Sequence, residues 1–184
     1  MTELEPGVIS ASPEMGQKNH KIIRDIATKL DAIIPLVDEI MLAMKDAGWS
    51  AQDIENAETP LNELLVNMVE YGNMGLRKIK GKKDTFAEQR AKAEADPEIQ
   101  KRKVHLLANI SPNTIRITAQ DEGGQAAIEE MKKFQLKDLE LSENLLADSG
   151  RGYNIIENFF QINIESNSQG NKVTLTKNKL TSNG

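Results

Sequence analysis

The apolar residues of this chain change their period near residue 103, and that change restricts the fold more than any other feature. Upstream, large apolar side chains recur at three- and four-residue spacings. Ile22, Ile23, Ile26, Leu30, Ile33 and Ile34 form one such stripe, Val37, Ile40, Met41 and Met44 a second, and Leu61, Leu64, Leu65 and Met68 a third. Those spacings line one face of a helix. Downstream, Ile115-Arg116-Ile117-Thr118-Ala119 alternates, as do Ile162 with Ile164 and Val173 with Leu175, which is the strand period. Helices followed by alternating strands predict an α+β fold, a two-layer sandwich with helices on one face of a mainly antiparallel sheet.

Punctuation residues divide these stretches. Residues 18–48 read as helical, with Pro35 breaking the path between the first two stripes and Gly48 closing the second. Ser50 and Asp53 have capping-box spacing, so a helix starts there; Thr59-Pro60 offers a second start. Phe86 to Ala95 suggests a short exposed helix, with Asp96-Pro97 ending it or opening another. Ser111-Pro112-Asn113 joins a strand beginning at Val104-His105-Leu106 to the next as a hairpin. Asn167 to Asn171 turns between the last two strands, and the alternation of Val173 and Leu175 places Thr174 and Thr176 outward. The expected organisation is a flexible lead over 1–17 with a short strand at Val8-Ile9, one domain over 18–180 and a tail over 181–184. Residues 127–147 are expected to be mobile in part.

The chain has 184 residues, a net charge of −5 and no cysteine. One sizeable core fits that length, and disulfides and thiolate chemistry are excluded. Acidic balance argues against a nucleic-acid partner. The charge is uneven, because residues 77–103 carry ten Lys or Arg against five Asp or Glu, which leaves −10 on the rest. That basic stretch overlaps a polar insertion over 73–102, which can gate a site, bind a partner or stand in solvent. No apolar run has membrane-spanning length and the first residues lack a signal-peptide core, so a cytoplasmic protein without membrane contact is expected.

Three features carry chemistry, in chain order. Glu63 and Asn67 lie four residues apart beside the Leu61 stripe, one helical turn from each other. Asp121-Glu122-Gly123-Gly124 follows the strand over 115–119. A carboxylate at a strand end can accept a hydrogen bond from an exocyclic amine, and glycine lets backbone approach a ring. Gly150-Arg151-Gly152 opens a helix whose inner face carries Tyr153, Ile156, Phe159 and Phe160, and free backbone N–H groups at a helix start favour an anion. Each has an ordinary counterpart: a surface Glu and Asn, a loop, a two-glycine turn. Their order and separation distinguish them.

With those residues in place, the chain resembles the nucleotide-binding fold shared by gyrase-type ATPases, heat-shock chaperones, histidine kinases and mismatch-repair ATPases. It is most similar to bacterial anti-sigma factors that are also protein-serine kinases. The resemblance runs from about Ile33 to Lys177, and is strongest over Glu143 to Phe160, where Ser149-Gly150-Arg151-Gly152-Tyr153 looks like the lid end and second glycine box. Trp49 to Ile54, Glu63 to Asn67 and Tyr71-Gly72 look like the first box.

The resemblance implies a histidine-kinase-like ATPase fold that uses ATP and Mg²⁺. It implies Asn67 as the Mg²⁺ ligand, Glu63 as general base, Asp121 as reader of the adenine amine and Gly123 beneath the adenine. Gly150 and Gly152 would let the lid close, with Arg151 near the γ-phosphate. It further implies a homodimer that binds a sigma factor or similar regulator and phosphorylates an antagonist protein on Ser or Thr. Several positions depart from the pattern. Gln125 stands where the first glycine box ends, with Gly124 offering a substitute one residue earlier. Asn171 and Lys172 replace a usual Thr region, Pro60 falls within a usually continuous helix, and a helix over 18–32 replaces or precedes the usual first strand. These motivate an alternative reading as a catalytically inactive nucleotide-binding module that works by partner binding alone. A histidine-kinase phosphoacceptor at His20 lacks its acidic and proline neighbours, and His105 reads as packing.

Overall fold

The computed structural model describes residues 18–77, 85–124, 151–167 and 169–179. In chain order the elements are β1 (His20–Ala27), α1 (Ile33–Asp46) after a 3₁₀ turn, and α2 (Ala51–Asn67), which widens into a π-helical turn, Met68–Asn73. Then come α3 (Phe86–Ala95), α4 (Pro97–Lys101), β2 (Lys103–Ile110), β3 (Thr114–Gln120), α5 (Arg151–Glu157), β4 (Gln161–Asn167) and β5 (Gly170–Asn178). The strands form one sheet in the order β1-β2-β3-β5-β4, antiparallel throughout.

The register explains the core. Ile22 and Ile26 of β1 face Ala108 and Val104 of β2. Ala108 and Leu106 face Ile117 and Ala119 of β3, which in turn face Leu175 and Val173 of β5. All of these are buried, so one sheet face is a continuous apolar surface. Helix α1 packs over β1 and β2, and α2 lies between α1 and α5. The α+β reading and the antiparallel sheet are as the alternation predicts. No helix among the described residues is long and apolar enough to cross a membrane.

Residues 20–27 are a correction. They form a strand, not the start of a helix. Ile22 and Ile26 are four apart, and a four-residue spacing keeps side chains on one face in either period. Pairing with β2 decides the matter, in line with the preference of β-branched isoleucine for strands. Ile23 and Ile34, counted in the same helical stripe, are instead exposed. Arg24 points to the buried face at the sheet edge and pairs with Glu39 of α1, a charge that discourages edge-to-edge pairing.

Pro35 breaks nothing, because it lies in the first turn of α1, where its missing N–H has no helical partner to lose. Helix α1 closes as expected. Gly48 takes φ +84, its N–H reaches Lys45 O at 3.0 Å and the Trp49 N–H reaches Met44 O at 3.1 Å, a Schellman closure. Ser50 caps α2 by accepting from Asp53 N at 3.0 Å. Helix α2 then runs through Pro60 without restarting, held by buried Leu61, Leu64 and Leu65. Thr174 is also a correction. It keeps the face opposite Val173 and Leu175 but is buried, lying between Thr118 of β3 and Asn163 of β4, with a hydroxyl contact of 3.3 Å to Thr118.

The charged insertion is docked where it is described. Phe86 meets Tyr71 edge to face at 5.7 Å, and Arg90 pairs with the buried Glu70. The Gln89 side chain bonds both the N–H and the carbonyl of Arg77, each at 2.9 Å. Asp96 caps α4 by accepting from Glu98 N at 2.9 Å. The expected features over 1–17, 127–147 and 181–184 lie outside the described residues.

Candidate functional site

Glu63 and Asn67 stand one turn apart on α2, and Asn67 Nδ2 donates to Glu63 Oε1 at 3.4 Å. That is a long, weak bond. Asn67 is buried and Glu63 half-buried. With the amide nitrogen turned to Glu63, the carboxamide oxygen is the Asn67 atom left for another partner.

Beyond Asn67 the helix widens. Met74 N–H bonds Val69 O, five residues back, at 2.9 Å, the π pattern often found at functional sites. This wider turn carries Gly72 and Asn73 into the interior, where both are buried. Gly72 has to be glycine, because a Cβ there would lie 2.4 Å from Asp121 Oδ2. About one and a half helical turns separate Asn67 from this contact.

Asp121, at the end of β3, is fully buried. Its Oδ1 accepts from Asn171 N at 3.1 Å and Gly123 N at 3.0 Å, and its Oδ2 accepts from Asn171 Nδ2 at 2.7 Å. Burial raises its pKa above the ordinary aspartate value, while the bonds from Asn171 and Gly123 pull the other way. Three donors converge on its two oxygens, all of which the carboxyl group accepts. Gly123 is packed backbone to backbone, since a Cβ there would fall 1.8 Å from Gly72 O. Gly170 is equally tight, with a Cβ position 1.9 Å from Asp121 O. Gly124 holds φ +81, a conformation side chains rarely adopt.

A second buried network braces this loop. Asn73 Oδ1 accepts from Glu122 N at 2.8 Å, and Asn73 Nδ2 donates to Thr28 Oγ1 at 3.0 Å. Thr28 donates to Arg102 O at 2.6 Å, and Arg102 Nη1 returns to Asn73 O at 2.6 Å. Arg102, which the sequence places at the end of a polar insertion, is therefore part of the site's frame.

The structure thus pairs Glu63 with Asn67 and joins Asp121 and Gly123 to the continuation of the same helix through Gly72. Gly124 follows in the loop. Arg151 and Gly152 begin α5, which packs against α2; Gly150 lies outside the described residues. Asn73, Thr28, Gly170 and the clamp role of Asn171 were missed from sequence. Of these only Asn73 adjoins a residue the sequence singles out, Gly72; Thr28, Gly170 and Asn171 reach the site through contacts distant in the chain.

Chemically, one end of the site offers a buried acceptor with close backbone, and Asn171 Oδ1 there is a buried acceptor with no hydrogen-bond partner. A ring carrying an exocyclic amine suits that end. The other end offers a carboxylate beside a carboxamide oxygen, which suits a hard cation and a proton acceptor. No protein-family model matches the chain, and no curated protein matches it significantly.

Proposed function

We propose that the protein is an ATP- and Mg²⁺-dependent serine/threonine kinase of the anti-sigma type, with the histidine-kinase-like ATPase fold. It would hold a sigma factor or similar regulator and phosphorylate an antagonist protein, whose release or capture then switches partners. The observation that carries this reading is the Gly72–Asp121–Gly123 interlock. It ties a buried carboxylate at a strand end to the helix that bears Glu63 and Asn67.

Two departures from the family pattern fall away. A first strand exists at His20–Ala27, and α2 is continuous through Pro60. The residues present also suit the ligands. Asp121 Oδ2 and the unpartnered Asn171 Oδ1 would be the acceptors for an adenine amine. Asn67 would hold Mg²⁺ by its single oxygen, with phosphate oxygens and water completing the shell. Bound Mg²⁺ would neutralise phosphate charge during transfer. Glu63 would accept the proton from the attacking Ser or Thr hydroxyl, with the Asn67 amide in long, weak contact with that carboxylate at 3.4 Å. Arg151, with Gly150 and Gly152, would cover the γ-phosphate. A homodimer has apolar surface available at exposed Ile34 and Leu42 of α1.

The test is transfer of label from γ-phosphate-labelled ATP to proteins that co-purify with the chain. Wild type is expected to label one small partner on Ser or Thr, and Glu63→Gln to bind ATP equally but transfer nothing. ATP binding without transfer by wild type would replace the kinase with the inactive binding module.

A further inference from the structure

His105 lies on the sheet face opposite the core and is held between two carboxylates. Its Nδ1 is 2.8 Å from Asp25 Oδ1 on β1, and its Nε2 is 2.9 Å from Glu122 Oε1 in the loop after β3. A neutral imidazole has one N–H and one lone pair, so only one of these contacts could then be a hydrogen bond. With both carboxyl groups ionised, both are satisfied only by the doubly protonated ring. The geometry therefore specifies an imidazolium, and both ring nitrogens are engaged.

The surrounding charges agree. The Asp25 hydrogen bond, followed by that of Glu122, raises the His105 pKa above its ordinary value. Asp25 and Glu122 are each lowered, chiefly by their hydrogen bonds with His105. From β2, Lys103 Nζ lies 3.8 Å from Asp25 Oδ2, and its backbone N–H donates to Glu122 Oε2 at 2.9 Å. From β3, the residue opposite His105 is the uncharged Gln120. Lys172 on β5 is engaged with Glu165.

Glu122 connects this cluster to the candidate site. Its neighbour is the buried Asp121, and its own N–H is held by Asn73. We propose that Asp25, His105 and Glu122 form a pH-sensitive clamp, which fixes the 121–124 loop while His105 is charged and loosens it when His105 loses its proton.

The direction follows from the shifts. A raised histidine contributes stability that is complete below its unfolded-state pKa and is lost as pH rises through its folded-state pKa. The two lowered carboxylates contribute above the ordinary carboxylate range and lose that contribution as pH falls through their folded values. The clamp is thus closed between the carboxylate range and the raised His105 pKa, and it opens on the alkaline side. If the site binds nucleotide as proposed above, a fixed loop presents Asp121 with less ordering left to do, so affinity falls as pH rises.

The experiment compares the full chain with His105→Gln and Asp25→Asn. The amide protection of Glu122 and Gly123 is followed by hydrogen exchange, and Mg·ATP affinity by calorimetry, at about pH 6 and about pH 8.5. Wild type is expected to lose loop protection at the higher pH and to weaken its ATP binding roughly five-fold relative to His105→Gln. In His105→Gln both readouts should be flat, apart from nucleotide ionisation, which acts on both proteins alike. Asp25→Asn should move the wild-type midpoint to lower pH. Loop protection with the same pH dependence in wild type and His105→Gln would overturn the clamp. Loop protection that responds as expected without any ATP binding would keep the clamp and remove the nucleotide reading.

Discussion

The two ends of the candidate site are built in opposite ways. Around Asp121 nothing has room to move: three donors hold its carboxylate, and Gly72, Gly123 and Gly170 each pack where a methyl group would meet backbone or carboxylate. Around Glu63 and Asn67 one 3.4 Å contact joins two side chains, one of them half-buried. The difference teaches where rigidity is useful. If the Asp121 end reads a ring, as proposed, it would gain from being ordered before the ligand arrives. If the Glu63–Asn67 end meets a cation and a second protein, as proposed, its looser contact would leave it free to rearrange during the reaction.

Breaking the rigid end should cost most. Gly123→Ala places a methyl group against Gly72 carbonyl oxygen, and neither backbone can yield alone. A loss of about 3 kcal/mol or more is expected in denaturant unfolding. Asp121→Ala comes next, because it strands the Asn171 amide and the Gly123 N–H without an acceptor, at about 2–3 kcal/mol. Asn73→Ala, which frees the Glu122 N–H and the Thr28 hydroxyl from their partner, should cost about 1–2 kcal/mol by the same measurement. At the loose end, Glu63→Gln should stay within about 0.5 kcal/mol of wild type, yet lower phosphoryl transfer by roughly a hundred-fold or more. A stability loss at Glu63 as large as that at Asp121 would erase the contrast between the two ends.

The same contrast separates what the sequence reveals from what it hides. Strands β2, β3 and β5, the Gly48 closure and the Ser50 cap were legible because each rests on local chemistry: alternation, a left-handed glycine, a side-chain acceptor at N-cap spacing. The Glu63–Asn67 pair was legible for the same reason, being one helical turn long. Strand β1 was not, because Ile22 and Ile26 satisfy both periods and only pairing with β2 separates them. The Asp121 end was half legible. Asp121 and Gly123 stand out beside a strand, but the partners that lock them come from Gly72, Asn73 and Asn171, far apart in the chain. His105 was misread as packing, because Asp25 and Glu122 become its neighbours only through the sheet register.

Calorimetric titration of ATP into the wild type and Asn67→Ala, each with and without Mg²⁺, tests the central claim most directly. The account predicts saturable binding by wild type that is strengthened by Mg²⁺. It predicts that Asn67→Ala, still folded, loses the Mg²⁺-dependent part and keeps what the Asp121 end provides. Wild type that takes up no ATP, or an Asn67→Ala variant with the full Mg²⁺ effect, would contradict it.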